Sequence, residues 1–225
     1  MTAAGSGGTG HLLAMLQLAS PGLPVGGFAY SQGLEKAIED GIVHDAASAR
    51  RWIEDLLTLS LARFDAPLWL RAWDAAKAAD HTAFAHWNEE CIAARETAEL
   101  RAETMQMGVS LVRVMPALGV RPPACTPIAF PMAFAAACAS LRIEREAGLT
   151  AYLWAWAEGQ VLVAVKTVPL GQLSGQALLA QLHEGIDQAV RYAASVADDD
   201  IGSATAGYAI TSARHEAMYS RLYRS

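Results

Sequence analysis

Residues 150–167 read TAYLWAWAEGQVLVAVKT. Leu153, Trp154, Trp156, Val161, Leu162, Val163 and Val165 fall on every side of a helical wheel. A helix that is apolar nearly all round belongs in an interior, so this segment predicts a central helix with others packed about it. Thr150 is the expected N-cap, and Pro169 with Gly171 marks the far end.

The flanking sequence supplies the surrounding helices. Phe28 to Glu39 predicts a short one stopped by Gly41, and Asp45 is placed to cap Ala46 to Ala62, with Trp52, Leu56, Leu59 and Arg63 on one face. Asp65 with Pro67 opens another, through Trp69 and Trp73 to about Ala79. Asp80 caps the next, which holds Phe84 and Trp87. Thr97 to Val114 follows, with Leu100, Met107, Leu111 and Met115 inward. Pro116 to Pro127 reads as a surface connector, because helices of similar character lie on both sides. Alanine-rich Phe130 to Leu141 suits close helix packing, and Ser174 to Ala194 predicts one more helix. The run Asp198 to Asp200 breaks the chain before a final helix that carries the C-terminal residues. No segment alternates as a strand does. The expectation is all-α: a flexible tail over residues 1–10, then a single-domain helical bundle over 11–225 around the central apolar helix.

Composition narrows the class. The chain has 225 residues, 53% hydrophobic and only 18% charged, with a net charge of -6. So apolar a chain either has a large interior or carries an apolar surface that a partner covers. The acidic balance argues against nucleic acid, whose binding needs a concentrated basic face. Cys91, Cys125 and Cys138 form no CxxC pair and leave an odd thiol, which suits a reducing cytoplasm. No membrane helix is expected, because the uncharged window between Arg121 and Arg142 is broken by Pro122, Pro123, Pro127 and Pro131.

Chemistry is sparse. Histidines are scattered, no HExxH or CxxC occurs, and no tight metal site is expected. There is no P-loop, so no nucleotide hydrolysis is expected either. Tyr30, Glu35 and His215 are candidates for an acid–base cluster lining a pocket, which keeps open a small all-α enzyme or small-molecule carrier. Nothing local offers a nucleophile or an oxyanion hole. Glu158, isolated among apolar residues, needs a partner if buried, with Arg95 or Arg101 as candidates.

Three places carry interaction signals. In SPGLPVGGFAYSQGLE (Ser20 to Glu35) the Gly26-Gly27 pair allows a turn with positive φ, and the same turn would present Phe28 and Tyr30 to a partner. Lys166 either completes a helix C-terminus or leaves a free charge at a surface corner. In TSARHEAMYSRLYRS (Thr211 to Ser225), Arg214, Arg221 and Arg224 lie among Met218, Tyr219, Leu222 and Tyr223, the residue types enriched in interface hot spots. The alternative is that these side chains pack on the protein's own core. On the interface reading, deleting Arg214 to Ser225 leaves the earlier helices folded.

The Ser20 to Glu35 stretch, with YLWAWAEGQVLVAVKTVPLGQLSGQ (Tyr152 to Gln176) and the terminal stretch, resembles the UreF family of urease accessory proteins. The likeness runs over nearly the whole chain after about residue 10, with Gly22 where alanine is frequent. The resemblance implies an all-α homodimer that is not an enzyme and holds no cofactor. It implies binding to UreD (also called UreH) and, through it, recruitment of the GTPase UreG to the urease apoprotein for nickel insertion. The matching positions are Gly26, Gly27, Phe28, Tyr30, Ser31, Glu35, Lys166, Arg214, His215, Tyr219, Arg221 and Arg224.

Overall fold

Around the long helix α8 (Arg145–Thr167) pack α1 (Thr9–Ala19), α2 (Leu34–Glu39), α3 (Ala46–Leu56), α4 (Asp65–Ala78), α7 (Phe130–Ser140), α9 (Gln172–Gln181) and α10 (His183–Ser195). The remaining helices are α5 (His81–Ala93), α6 (Ala98–Val114) and α11 (Ala206–His215). The computed structural model describes residues 8–203 and 205–225, and among these every regular element is helical. Residues 1–7 of the expected tail lie outside the described residues, and Thr9 already opens α1.

Several expected caps are present. Asp45 accepts from the Ser48 amide while the Ser48 hydroxyl takes the Asp45 amide, a reciprocal capping box. Asp80 and Thr97 cap α5 and α6 through the amides of Ala83 and Leu100. Thr150 is not a cap: α8 begins at Arg145, and the Thr150 hydroxyl donates back to the Glu146 carbonyl at 2.8 Å. α7 is the most interior element, with Pro131 through Ala139 all buried, and its alanines let it lie along α4 and α6. α8 is long and central, but Leu162 is exposed and Trp154 and Trp156 are only half-buried, so one side of it is uncovered.

Three expectations are corrected. Phe28 to Glu39 is not one helix: Gly27–Ala29 form a 3₁₀ turn, and Gln32 and Gly33 both have positive φ (52° and 77°), which no helix accommodates. The expected stripe Trp52, Leu56, Leu59, Arg63 fails at Leu59, which is exposed. A π turn at Leu57–Leu61 extends α3, and its wider turn rotates the face so that Leu57, Ser60 and Leu61 point inward instead. Ser174 to Ala194 is two helices, α9 and α10, which bend at the buried Leu182 so that both reach α8.

Candidate functional site

The last helix stops at His215, and residues 216–225 run on without helical structure. They return across α2 and α6, where buried polar groups hold them. Glu35, in the first turn of α2, accepts the backbone amides of Leu222 (2.7 Å) and Tyr223 (3.0 Å). The amide and hydroxyl of Ser31 both donate to the Ser225 carbonyl, and the Ser225 hydroxyl donates to Glu103 at 2.5 Å. The Arg224 amide donates to the Ala29 carbonyl at 2.9 Å. Every donor named here is main chain or a short hydroxyl, so the tail follows one path and is not a loose appendage.

His215 sits at the root of this staple with no exposed surface. Its Nδ1 lies 2.6 Å from Glu99 and its Nε2 3.2 Å from Glu35. Carboxylate oxygens only accept, so both ring nitrogens donate when the imidazole carries two protons, and the glutamates then flank a cation. Arg221 pairs with the second oxygen of Glu99, which extends the network to the surface. Glu103 is fully enclosed: burial raises its carboxyl above the ordinary 4.5, opposed by hydrogen bonds from Ser225 and Gln32. Gln32 bridges onward, donating to Glu103 at 2.6 Å and accepting from the Trp156 indole at 2.6 Å.

The matching residues therefore divide into two groups. Ser31, Glu35 and His215 are buried and internally bonded. Tyr30 is buried too, and its hydroxyl donates to Gln106 at 2.7 Å; burial raises its phenol, and neighbouring Arg224 opposes that. Outside stand Phe28, 83% exposed, and Tyr219, which is fully exposed; Leu222, not among the matching positions, is exposed too. Lys166 is exposed as well, its Nζ 5.3 Å from the centre of the Tyr223 ring, so the α8 corner and the tail touch. Arg214 pairs with Asp40 at 2.9 Å. Gly26, at φ 80°, makes the turn that leads to Phe28, and a side chain on Gly27 would press on Met107.

The expected acid–base cluster is corrected. Glu35 and His215 do meet, but they are enclosed, and Tyr30 bonds elsewhere. A cavity of about 320 Å³ is lined by Tyr30 but not by Glu35 or His215. Neither expected partner reaches Glu158: Arg95 is committed to Asp65 at 2.5 Å, and among the described residues Glu158 has no ion pair. Desolvation raises its carboxyl. The sequence reading missed Gln32, Glu99, Glu103 and Ser225. Glu99 and Glu103 are four apart on α6 and so share a face, but nothing local says that the chain's last residues meet that face. Among the described residues no three His, Cys, Asp or Glu side chains converge to hold a metal, and no helix is long and apolar enough to cross a membrane.

The profile of the UreF family matches residues 43–183. The chain is 49% identical to the urease accessory protein UreF of Azoarcus sp. (strain BH72) over 98% of both chains. It is 47% identical to UreF of Cupriavidus necator over 96% of this chain and 98% of that one. It is also 46% identical to a bifunctional urease accessory protein UreEF of Bordetella bronchiseptica, covering 96% of this chain and 52% of the longer protein.

Proposed function

We propose that this chain, which belongs to the UreF family of urease accessory proteins, is the scaffold that joins UreD and the GTPase UreG to apo-urease for nickel insertion. It is an accessory protein and not an enzyme, as its relatives are. In this reading it works in the cytoplasm as a homodimer within that assembly, and nickel is cargo handled by the complex.

One observation carries the reading. Phe28, Tyr219 and Leu222 stand out in solvent beside backbone that is tied down: Glu35 accepts the Leu222 and Tyr223 amides, and the Ala29 carbonyl accepts the Arg224 amide. Large apolar side chains on a pre-organised frame lose little entropy on docking, which is how interface anchors act. The exposed Phe28, Lys166, Arg214, Tyr219, Arg221 and Arg224 are the contacts in this proposal. Gly26, Gly27, Tyr30, Ser31, Glu35 and His215 hold them in position.

The test is Phe28→Ala with Tyr219→Ala. Both side chains are too exposed to support the fold, so the unfolding free energy should stay within about 0.5 kcal/mol of the parent. Co-purification with UreD or UreG, and urease activation, should be lost, since each anchor is worth roughly 2 kcal/mol or more. Wild-type assembly by the double variant would refute this surface. Light scattering on the isolated chain checks the homodimer, and a monomer at micromolar concentration would exclude it.

A further inference from the structure

α8 carries a glycine that the fold itself does not require. Gly159 lies well inside the helix and is exposed, and a Cβ built on it would meet nothing within 4 Å. Its backbone is helical, so no left-handed turn explains it. The other glycine of α8 is different: a Cβ at Gly148 would come within 2.7 Å of Trp69 and 3.2 Å of Cys138, so close internal packing accounts for it. A glycine in a helix interior costs stability relative to alanine, and at Gly159 nothing inside the chain repays that cost. The room it leaves opens outward.

The same face of α8 holds two charges of opposite sign. Leu162 and Lys166 are exposed and Glu158 is half-buried. At helical spacing, positions 158, 159, 162 and 166 fall within about 100° of one another. Glu158 has no ion pair among the described residues, and desolvation raises its carboxyl. Lys166 has no ion pair among them either, and its Nζ lies over the Tyr223 ring. The two charges stand about 12 Å apart along the axis, one on each side of Leu162.

Phe28, Gly159, Leu162 and Lys166 also line the cavity of about 320 Å³, and because all four are exposed they mark its mouth. Several polar groups deeper in are bonded within the chain: Glu103 to Gln32 and Ser225, Gln32 to Trp156, Tyr30 to Gln106, and Arg95 to Asp65. Leu61, Phe64, Met107 and Phe130 line the apolar remainder. A hydrocarbon side chain entering here leaves water without stranding a polar group.

We propose that the open face of α8 docks a helix of the partner protein, which lies against Gly159 and sends one large apolar side chain past Phe28 and Leu162 into the cavity. A basic residue of that helix meets Glu158, and an acidic residue about two turns along it meets Lys166. Every regular element among the described residues is helical, so none of them offers a sheet edge for an added strand, and a helix laid in a groove is the mode of recognition available. With no side chain at Gly159, the two axes can approach toward the short end of the usual range of about 8–10 Å. This inference rests on the scaffold reading above and names the chemistry by which the partner is recognised.

The test is Gly159→Leu in the full chain, followed by thermal unfolding, affinity for UreD or UreG, and light scattering. Leucine favours a helix and meets no neighbour at this position, so the unfolding midpoint should rise by about 2 °C. Affinity should fall roughly ten-fold or more, because the new side chain occupies the place of the docked helix, while self-association should not change. Glu158→Gln and Lys166→Gln should each weaken binding several-fold and reduce its dependence on salt. A variant that is stabilised yet binds as tightly as the parent overturns the docking face and leaves the scaffold reading standing. A lower midpoint shows that the fold itself needs Gly159 and removes the premise. Loss of self-association together with affinity assigns the face to a second copy of this chain and overturns the partner helix. Unchanged affinity in both glutamine variants overturns the charge pattern assigned to that helix. A parent chain that binds neither UreD nor UreG defeats the scaffold reading and this docking with it.

Discussion

Glu103 shows how one buried carboxyl ties a sequence position to a distant chain segment. It lies on α6, yet its oxygens take hydrogen bonds from Gln32 near the start of the chain and from Ser225 at the far end of the described residues. Burial raises its pKa above 4.5, and the two hydrogen bonds oppose that without cancelling it. The folded protein therefore holds this proton more tightly than the unfolded chain does. By linkage, its contribution to stability is greatest below the ordinary glutamate value of 4.5 and declines as pH rises through the elevated folded value. Glu103→Gln keeps the shape and removes the ionisation. Urea unfolding at several pH values should show the parent losing stability relative to this variant as pH rises above about 4.5, the ordinary value. Parallel pH profiles would show that Glu103 does not titrate differently in the two states.

At the scale of elements, the caps were legible because they are local. Asp45 and Ser48 are three residues apart, and their reciprocal bonds require only each other. Asp45→Ala should lower stability by about 1 kcal/mol, measured by urea unfolding, without changing the helical circular dichroism of the native state. The misread elements are those where neighbours choose among local options. Leu57–Leu61 has the composition of an ordinary helix, and the π turn there serves the packing of α3 and the inward Leu57 and Leu61. Thr150 is a good capping residue in isolation, but α8 has room to begin at Arg145 and does so.

The molecule as a whole depends on its C-terminal segment more than the residue types suggest. An expectation drawn from Arg and Tyr content, that the segment beyond Arg214 is separable, does not hold: Tyr223 and Ser225 are buried, and Glu35, Ser31 and Glu103 spend their hydrogen bonds on it. Truncation after His215 takes the Leu222 and Tyr223 amides from Glu35 and the Ser225 hydroxyl from Glu103, and leaves the Ser31 amide and hydroxyl without their acceptor. The loss should be several kcal/mol, at roughly 1–3 for each unsatisfied group. Thermal unfolding should show a much lower midpoint or no cooperative transition. A truncated chain as stable as the parent would mean that the staple contributes no net stability. The proposed interface and the core thus share one segment, with Tyr219 outside and Tyr223 within.

The sequence by itself determined what short-range rules govern. Helical periodicity, three caps, the positive-φ glycine at Gly26 and the absence of strand alternation follow from neighbours within a turn or two, and they lead to an all-α bundle with α8 through its middle. The three blocks that carry the family likeness were legible in the same way, because a motif is a local string. Only the tertiary structure decided which of those residues work inward and which face out. Glu35 and His215 are 180 positions apart, and His215 and Glu99 are 116 apart. No periodicity encodes such a pairing; it arises because burying a charge is costly unless another is brought to it, and the choice of partner depends on how the helices pack. The cavity is of the same kind, a space that exists only once distant walls enclose it.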